Sequence, residues 1–196
     1  MTLKAKLAVA LFAIAGATAA QATTLTFDSL NRQYGDGSSL GANMTSTAKS
    51  LAYTESGFLL TLSTPNATNG AHIGDGTSLS GTYNWHDSGD NGTGAYVTLS
   101  AVDGSLFDLA SFNYRSLGLT VSAIGYDPLL LKNSSSTLAR VSYSNLKSIT
   151  FSSLNYTDNQ LDNIVVTKAV PEPASLALFG LGLLGFGAVR RKSAKK

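Results

Sequence analysis

The chain predicts an all-β fold, an antiparallel β-sandwich of jelly-roll or lectin-like kind, and three observations carry that prediction. Apolar residues between the two ends recur with period two in short runs, the pattern of strands that bury one face. Segments dense in Gly, Asn, Asp and Ser separate the runs, and these residues favour turns. No stretch shows the 3.6-residue apolar spacing of an amphipathic helix.

In chain order, the first element is a signal peptide over residues 1–22. Lys4 and Lys6 form its positive region, Leu7–Ala15 its apolar region, and Ala20-Gln21-Ala22 its A-x-A cleavage site, with Ala17-Thr18-Ala19 as the alternative. Residues 23–169 then form one β-sandwich domain. Strands are expected at Leu25–Phe27, Phe58–Leu62, Ala95–Leu99, Phe107–Tyr114, Leu119–Ile124, Leu138–Tyr143, Ile149–Phe151 and Ile164–Thr167. Loops are expected at Tyr34–Gly41, Pro65–Gly76, His86–Gly94, Asp127–Ser136 and Leu154–Asn163. The last element, residues 170–196, has three parts. Val170-Pro171-Glu172-Pro173-Ala174 breaks regular structure, because proline fixes φ and removes a donor. Ala174–Val189 is an uncharged, apolar transmembrane helix, and Arg190, Arg191 and Lys192 begin a basic tail that stays on the cytoplasmic side.

Removing both ends changes the charge argument. Seven of the 14 basic residues lie in the terminal segments, which leaves residues 23–169 with seven basic against 11 acidic side chains. A net charge of −4 argues against nucleic acid as a partner, since phosphate binding needs a basic face. The chain has no Cys, so it holds no disulfide, thiolate metal site or Cys nucleophile. Its neutral-polar composition suits contact with hydroxyl-rich material.

The tail resembles the PEP-CTERM sorting signal of exopolysaccharide-producing Gram-negative bacteria. The resemblance implies export across the inner membrane, transient anchoring there, and recognition by a membrane-embedded exosortase that cleaves near the triplet. The destination it implies is the cell surface or the extracellular matrix, with exopolysaccharide or biofilm as the setting. The stretches Phe107–Phe112, Leu119–Asp127, Leu146–Phe151 and Leu161–Val166 are similar, more weakly, to carbohydrate-binding-module and lectin-like sandwiches. That resemblance implies a structural calcium shared by Asp28 and Asp162, although the Trp that precedes the later strands in such domains is missing and Trp85 lies elsewhere.

Other signals are local. Asp158, Asn159, Asp162 and Asn163 offer hard oxygens to calcium, as do Asp87, Asp90 and Asn91, but neither group has EF-hand spacing. Tyr83, Trp85 and His86 form an aromatic, hydrogen-bonding stretch suited to stacking on a sugar, or else Tyr83 and Trp85 fill the core at strand-like spacing. Gly37-Ser38-Ser39-Leu40-Gly41 matches a hydrolase elbow in letters only, because no helix follows Ser39. Gly180–Gly185 matches a dinucleotide fingerprint inside the apolar tail, where it has no meaning. His72 and His86 are isolated and make no zinc set. The expected function is therefore that of a non-enzymatic, exported matrix or envelope protein. A calcium-assisted lectin-like module is the alternative, and a secreted hydrolase a distant third.

Overall fold

The computed structural model describes residues 20–30, 34–35, 40–47, 49–65, 72–73, 81–85, 94–153 and 159–169. Most of the expected signal peptide and the whole sorting tail lie outside the described residues. Twelve strands follow one another, and the described residues contain no helix. They are β1 Ala22–Leu25, β2 Tyr34–Gly35, β3 Met44–Thr47, β4 Ser50–Glu55, β5 Phe58–Ser63 and β6 His72–Ile73. The remainder are β7 Tyr83–Trp85, β8 Tyr96–Ala101, β9 Phe107–Ala123, β10 Leu129–Leu146, β11 Ser148–Ser153 and β12 Asn159–Lys168.

Every pairing is antiparallel, and ten of the strands belong to one sheet in the order β1-β12-β9-β11-β8-β5-β4-β3, with β10 on β9 and β7 on β12. The short pair β2-β6 stands apart. The all-β, antiparallel expectation holds. The two layers, however, are arms of a single curled sheet. The 17-residue strand β9 makes this possible: Phe107–Arg115 pair with β12, whereas Leu119–Ala123 pair with β11. The arms meet face to face through Phe112–Phe151 and Phe58–Phe107, with ring centroids 5.2 and 5.5 Å apart in edge-on geometry.

The core follows the pleat. Strands β5, β8 and β11 alternate strictly, placing Leu60, Leu62, Val97, Leu99, Ile149 and Phe151 inside and Leu59, Tyr96 and Ser or Thr residues outside. Where β9 changes partner, the Ser116 hydroxyl donates to Asn159 Oδ1 at 2.7 Å and accepts from the Gly118 N–H at 3.2 Å. Ser153 Oγ lies 3.5 Å away on β11. One buried hydroxyl thus ties together β9, β12 and the neighbourhood of β11.

Four expectations need correction. Phe107–Tyr114 and Leu119–Ile124 are one strand, because the bend at Ser116–Gly118 keeps the hydrogen-bond ladder running through the polar interruption. The supposed loop Asp127–Ser136 is largely strand, since β10 begins at Leu129 and pairs with β9 from there. As an outer strand it needs no unbroken apolar alternation, and its register shifts, with Lys132 and Arg140, discourage further pairing. Asn159–Asn163 belongs to β12 and not to a loop. Strands β3 and β4 add an arm edge that Ser- and Thr-rich sequence conceals.

Replacing Ser116 with Ala should strand the buried Asn159 carbonyl at the branch of the sheet. The expected loss is about 1–3 kcal/mol in urea unfolding, the cost of an unsatisfied buried polar group. Ser142→Ala, on the exposed side of β10, should stay within about 0.5 kcal/mol of the parent.

Candidate functional site

Strand β12 is flanked by β7 at Asn159–Leu161 and by β1 at Ile164–Thr167, so Asp162 and Asn163 fall in the gap between the two partners. Beside that gap the chain leaves β1 through Thr26, Phe27 and Asp28. Phe27 takes φ 55°, a conformation costly for a bulky side chain. Glu55, at the end of β4, holds it there. Its Oε1 accepts the Thr26 N–H at 2.9 Å, and its Oε2 accepts the Phe27 N–H and the Tyr53 hydroxyl, both at 3.1 Å. The Tyr53 and Ser29 hydroxyls are 2.7 Å apart, and the Phe27 carbonyl accepts Leu30 N–H at 2.8 Å. A carboxylate seated on two successive backbone N–H groups is a strong, charge-assisted arrangement.

Above it opens a surface cleft of about 450 Å³ whose walls include Asp28, Asn43, Tyr53, Thr54, Glu55 and Ser56. Its lining is hydroxyl, carboxylate and amide, and the only ring in it is that of Tyr53. Asp28 accepts the Thr26 hydroxyl at 2.8 Å. Burial pushes the Tyr53 phenol up to about 12, helped by the Glu55 charge and opposed by the Ser29 hydroxyl. Burial, with the charges of Asp28 and Glu55, also raises Asp162 above the usual carboxylate range, against the pull of the Asn163 N–H. That N–H reaches Asp162 Oδ1 at 2.7 Å, and the Asn163 amide reaches Oδ2 at 2.8 Å.

The structure therefore brings Asp28 and Asp162 into one electrostatic neighbourhood and adds Glu55. Among the described residues no three His, Cys, Asp or Glu converge on a metal position. Both oxygens of Glu55 and both of Asp162 already accept hydrogen bonds. The donors suit calcium in kind, but they fall short of a ready-made cage of six to eight oxygens.

The aromatic stretch is placed differently from a sugar platform. Tyr83 and Trp85 are 0% and 1% exposed, with their rings 6.3 Å apart and Tyr83 edge-on to Phe27 at 5.6 Å. This corrects the stacking expectation at both positions: in β7 they pair with Leu161 and Asn159 and point into the core, where a sugar face does not reach them. Burial drives the Tyr83 phenol far above its ordinary range. The middle member of the triplet, Asn84, is itself buried, and among the described residues neither its amide nor the Trp85 indole N–H has a partner.

His86, Asp87, Asp90 and Asp158 lie outside the described residues, as does the side chain of His72. Ala20 is exposed, and Ala22 is the first residue of β1, paired with Thr167. The sorting residues Val170, Pro171, Glu172, Pro173, Ala174, Arg190, Arg191 and Lys192 are also outside the description. Sequence reasoning missed Glu55 and Tyr53. The available signal was that Glu55 is the only Glu outside the sorting tail.

Residues 169–192 match the family model described as the PEP-CTERM protein-sorting motif, so the chain carries that motif at its C-terminal end. No curated protein matches the chain. Among solved structures it is similar to a variant of a family 29 carbohydrate-binding module, with 13% identity over 76% of this chain and 93% of that one, at a TM-score of 0.41. It is also similar to a structure described as carbohydrate binding module family 29, with 11% identity over 76% and 90%, at a TM-score of 0.39. A third, a family 29 variant complexed with mannohexaose, has 11% identity over 76% and 93%, at a TM-score of 0.37.

Two outcomes follow from the cleft. Glu55→Ala removes the acceptor for two backbone N–H groups and a phenol, and should cost about 2–4 kcal/mol in urea unfolding, whereas Glu55→Gln should lose less. Asp162 is raised in the folded state, so it favours folding when protonated and opposes it when ionised. Stability from this group is greatest below the unfolded carboxylate value near pH 4 and is lost as pH rises through the higher folded value. Asp162→Asn keeps an acceptor for the Asn163 N–H, so it should raise Tm at pH 7 and flatten the Tm profile above pH 4.

Proposed function

We propose that this chain is a non-enzymatic exported protein, sorted by an exosortase through its C-terminal motif and delivered to the cell surface or extracellular matrix in association with polysaccharide. The observation that carries the reading is the sorting motif over residues 169–192. It begins immediately after the last residue of β12, Lys168, so the β-domain is complete where the motif starts. Three contacts close that end. Lys168 Nζ lies 3.0 Å from Asp103 Oδ2 and 5.4 Å from the Phe58 ring centre, and the Ala169 N–H donates to Leu106 O at 2.8 Å. Cleavage beyond Ala169 leaves every strand in place. An export signal at residues 1–22, the inner membrane as a transient station, and biofilm polysaccharide as the final setting belong to the same reading.

The non-enzymatic part rests on how the acids of the cleft are used. Glu55 spends its oxygens on backbone and phenol, and Asp162 on its own neighbour, so these carboxylates shape the chain and are not held ready to move a substrate proton. The second reading, a lectin-like module, is favoured by the cleft lining, since hydroxyls, amides and carboxylates recognise sugar hydroxyls. Calcium belongs to that reading, with Asp28 and Asp162 as its ligands and a purely structural role.

Expression in an exosortase-bearing host tests the sorting. The parent should appear as a shortened, released form, and a chain with Pro171→Ala and Pro173→Ala should accumulate at full length in the membrane fraction. Equal release of both would overturn the reading. The released form should be retained on host polysaccharide, and a Tm unchanged between calcium and chelator would remove the calcium.

A further inference from the structure

We propose that Tyr126 and Tyr143 form a second site, a ring platform for a neutral, hydroxyl-rich saccharide; this rests on the polysaccharide reading and gives it a location. The β9-β10 hairpin turns at Gly125, which adopts φ 89°. Tyr126 in that turn reaches the far end of β10, because the hairpin bends with the two arms of the sheet. Its ring centre lies 4.5 Å from that of Tyr143, the planes tilted by 40°. The Ser144 N–H donates to the Tyr126 hydroxyl at 2.9 Å, and the Ser144 carbonyl and hydroxyl lie 3.3 Å from it.

Mutual contact in partial solvent separates this pair from the other aromatics, since Tyr96 is exposed but belongs to no ring pair among the described residues. Tyr34, Tyr53, Tyr83 and Tyr114 are buried, whereas Tyr126 and Tyr143 both keep part of their surface in solvent while packing against the core. Among the described residues they make the one ring-to-ring contact in which neither member is buried. Two rings held from below by the core and from the side by Ser144 are pre-organised, so a ligand laid across them orders nothing further. Their apolar faces match the C–H faces of a sugar. Ile124, 91% exposed, and Leu130, 76% exposed, extend the apolar surface at the same turn.

The surrounding polar groups choose the sugar. Asp108 is the charge that acts on Tyr126, and its Oδ1 accepts the Asn145 N–H at 2.9 Å. Asp127 follows Tyr126 directly in the chain. The Asp108 carboxylate beside the Tyr126 ring accepts hydrogen bonds from sugar hydroxyls and repels uronic acids or sulfated sugars. A neutral hexose polymer fits both requirements.

The test uses the released, full-length β-domain as the host makes it, titrated with a neutral hexasaccharide panel and with an oligouronate of equal length. Tyr143→Ala should weaken neutral-sugar binding roughly tenfold, the loss of one stacked ring. Tyr126→Phe, which keeps the ring and loses its pin, should weaken it less and leave Tm nearly unchanged. Thr45→Ala, exposed on β3, should leave affinity within about twofold. The ring resonances of Tyr126 and Tyr143 should shift on neutral sugar and stay put on oligouronate. Undiminished binding by Tyr143→Ala, or tighter binding of the oligouronate, would overturn the platform while leaving the polysaccharide reading standing. Failure of the parent to bind any polysaccharide would overturn both.

Discussion

The Ser116 hydroxyl sits at the point where one sheet becomes two layers, and the rest of the domain depends on that branch. Up to Arg115, β9 lies against β12; from Leu119 onward it lies against β11. A strand cannot change neighbours without interrupting its ladder, and the interruption leaves buried polar groups that must be satisfied. Ser116 does this with one donor and one acceptor, using Asn159 on β12 and Gly118 on its own strand. The facing of Phe112 on Phe151, the bend of the β9-β10 hairpin and the approach of Tyr126 to Tyr143 all presuppose that turn of direction.

A second local device sets the other corner. Glu55 joins residues 28 and 29 positions apart in sequence, fixing the chain as it leaves β1 in a backbone conformation a phenylalanine rarely adopts. The same carboxylate brings negative charge near Asp28 and Asp162. The cleft thus combines a strongly held backbone with an electrostatically costly rim. Such a rim suits neutral or cationic groups and rejects anions.

Legibility in the sequence followed burial. Strands β5, β8 and β11 were readable because one face of each is buried and the other is mostly Ser and Thr. Strand β10 was not, because Lys132–Thr137 lies on an outer strand where polar residues cost nothing, and polar runs read as loop. Resemblance named Asp28 and Asp162, whose charges fall near one another, but the role of Glu55 was invisible, since a carboxylate gives no sign of which distant N–H groups it will meet. Trp85 is the opposite case. An aromatic next to Asn and His reads as core or as a sugar platform, and its burial in β7 settles it as core. The sorting tail was the clearest signal of all, because its three parts are defined by composition and order and not by tertiary contact.

The first and last strands of the domain are neighbours: Ala22–Leu25 lie against Ile164–Thr167, closing a loop of some 140 residues. A chain emerging from the ribosome with its N-terminus first can assemble the β4-β5 hairpin at once, but β1 waits for the final strand to emerge. Long-range pairing of this kind is slow in any case. Here the order of emergence enforces the delay. The fold locks only when the sorting motif itself is the next segment to arrive, so completion of the domain and presentation of its address become nearly simultaneous events.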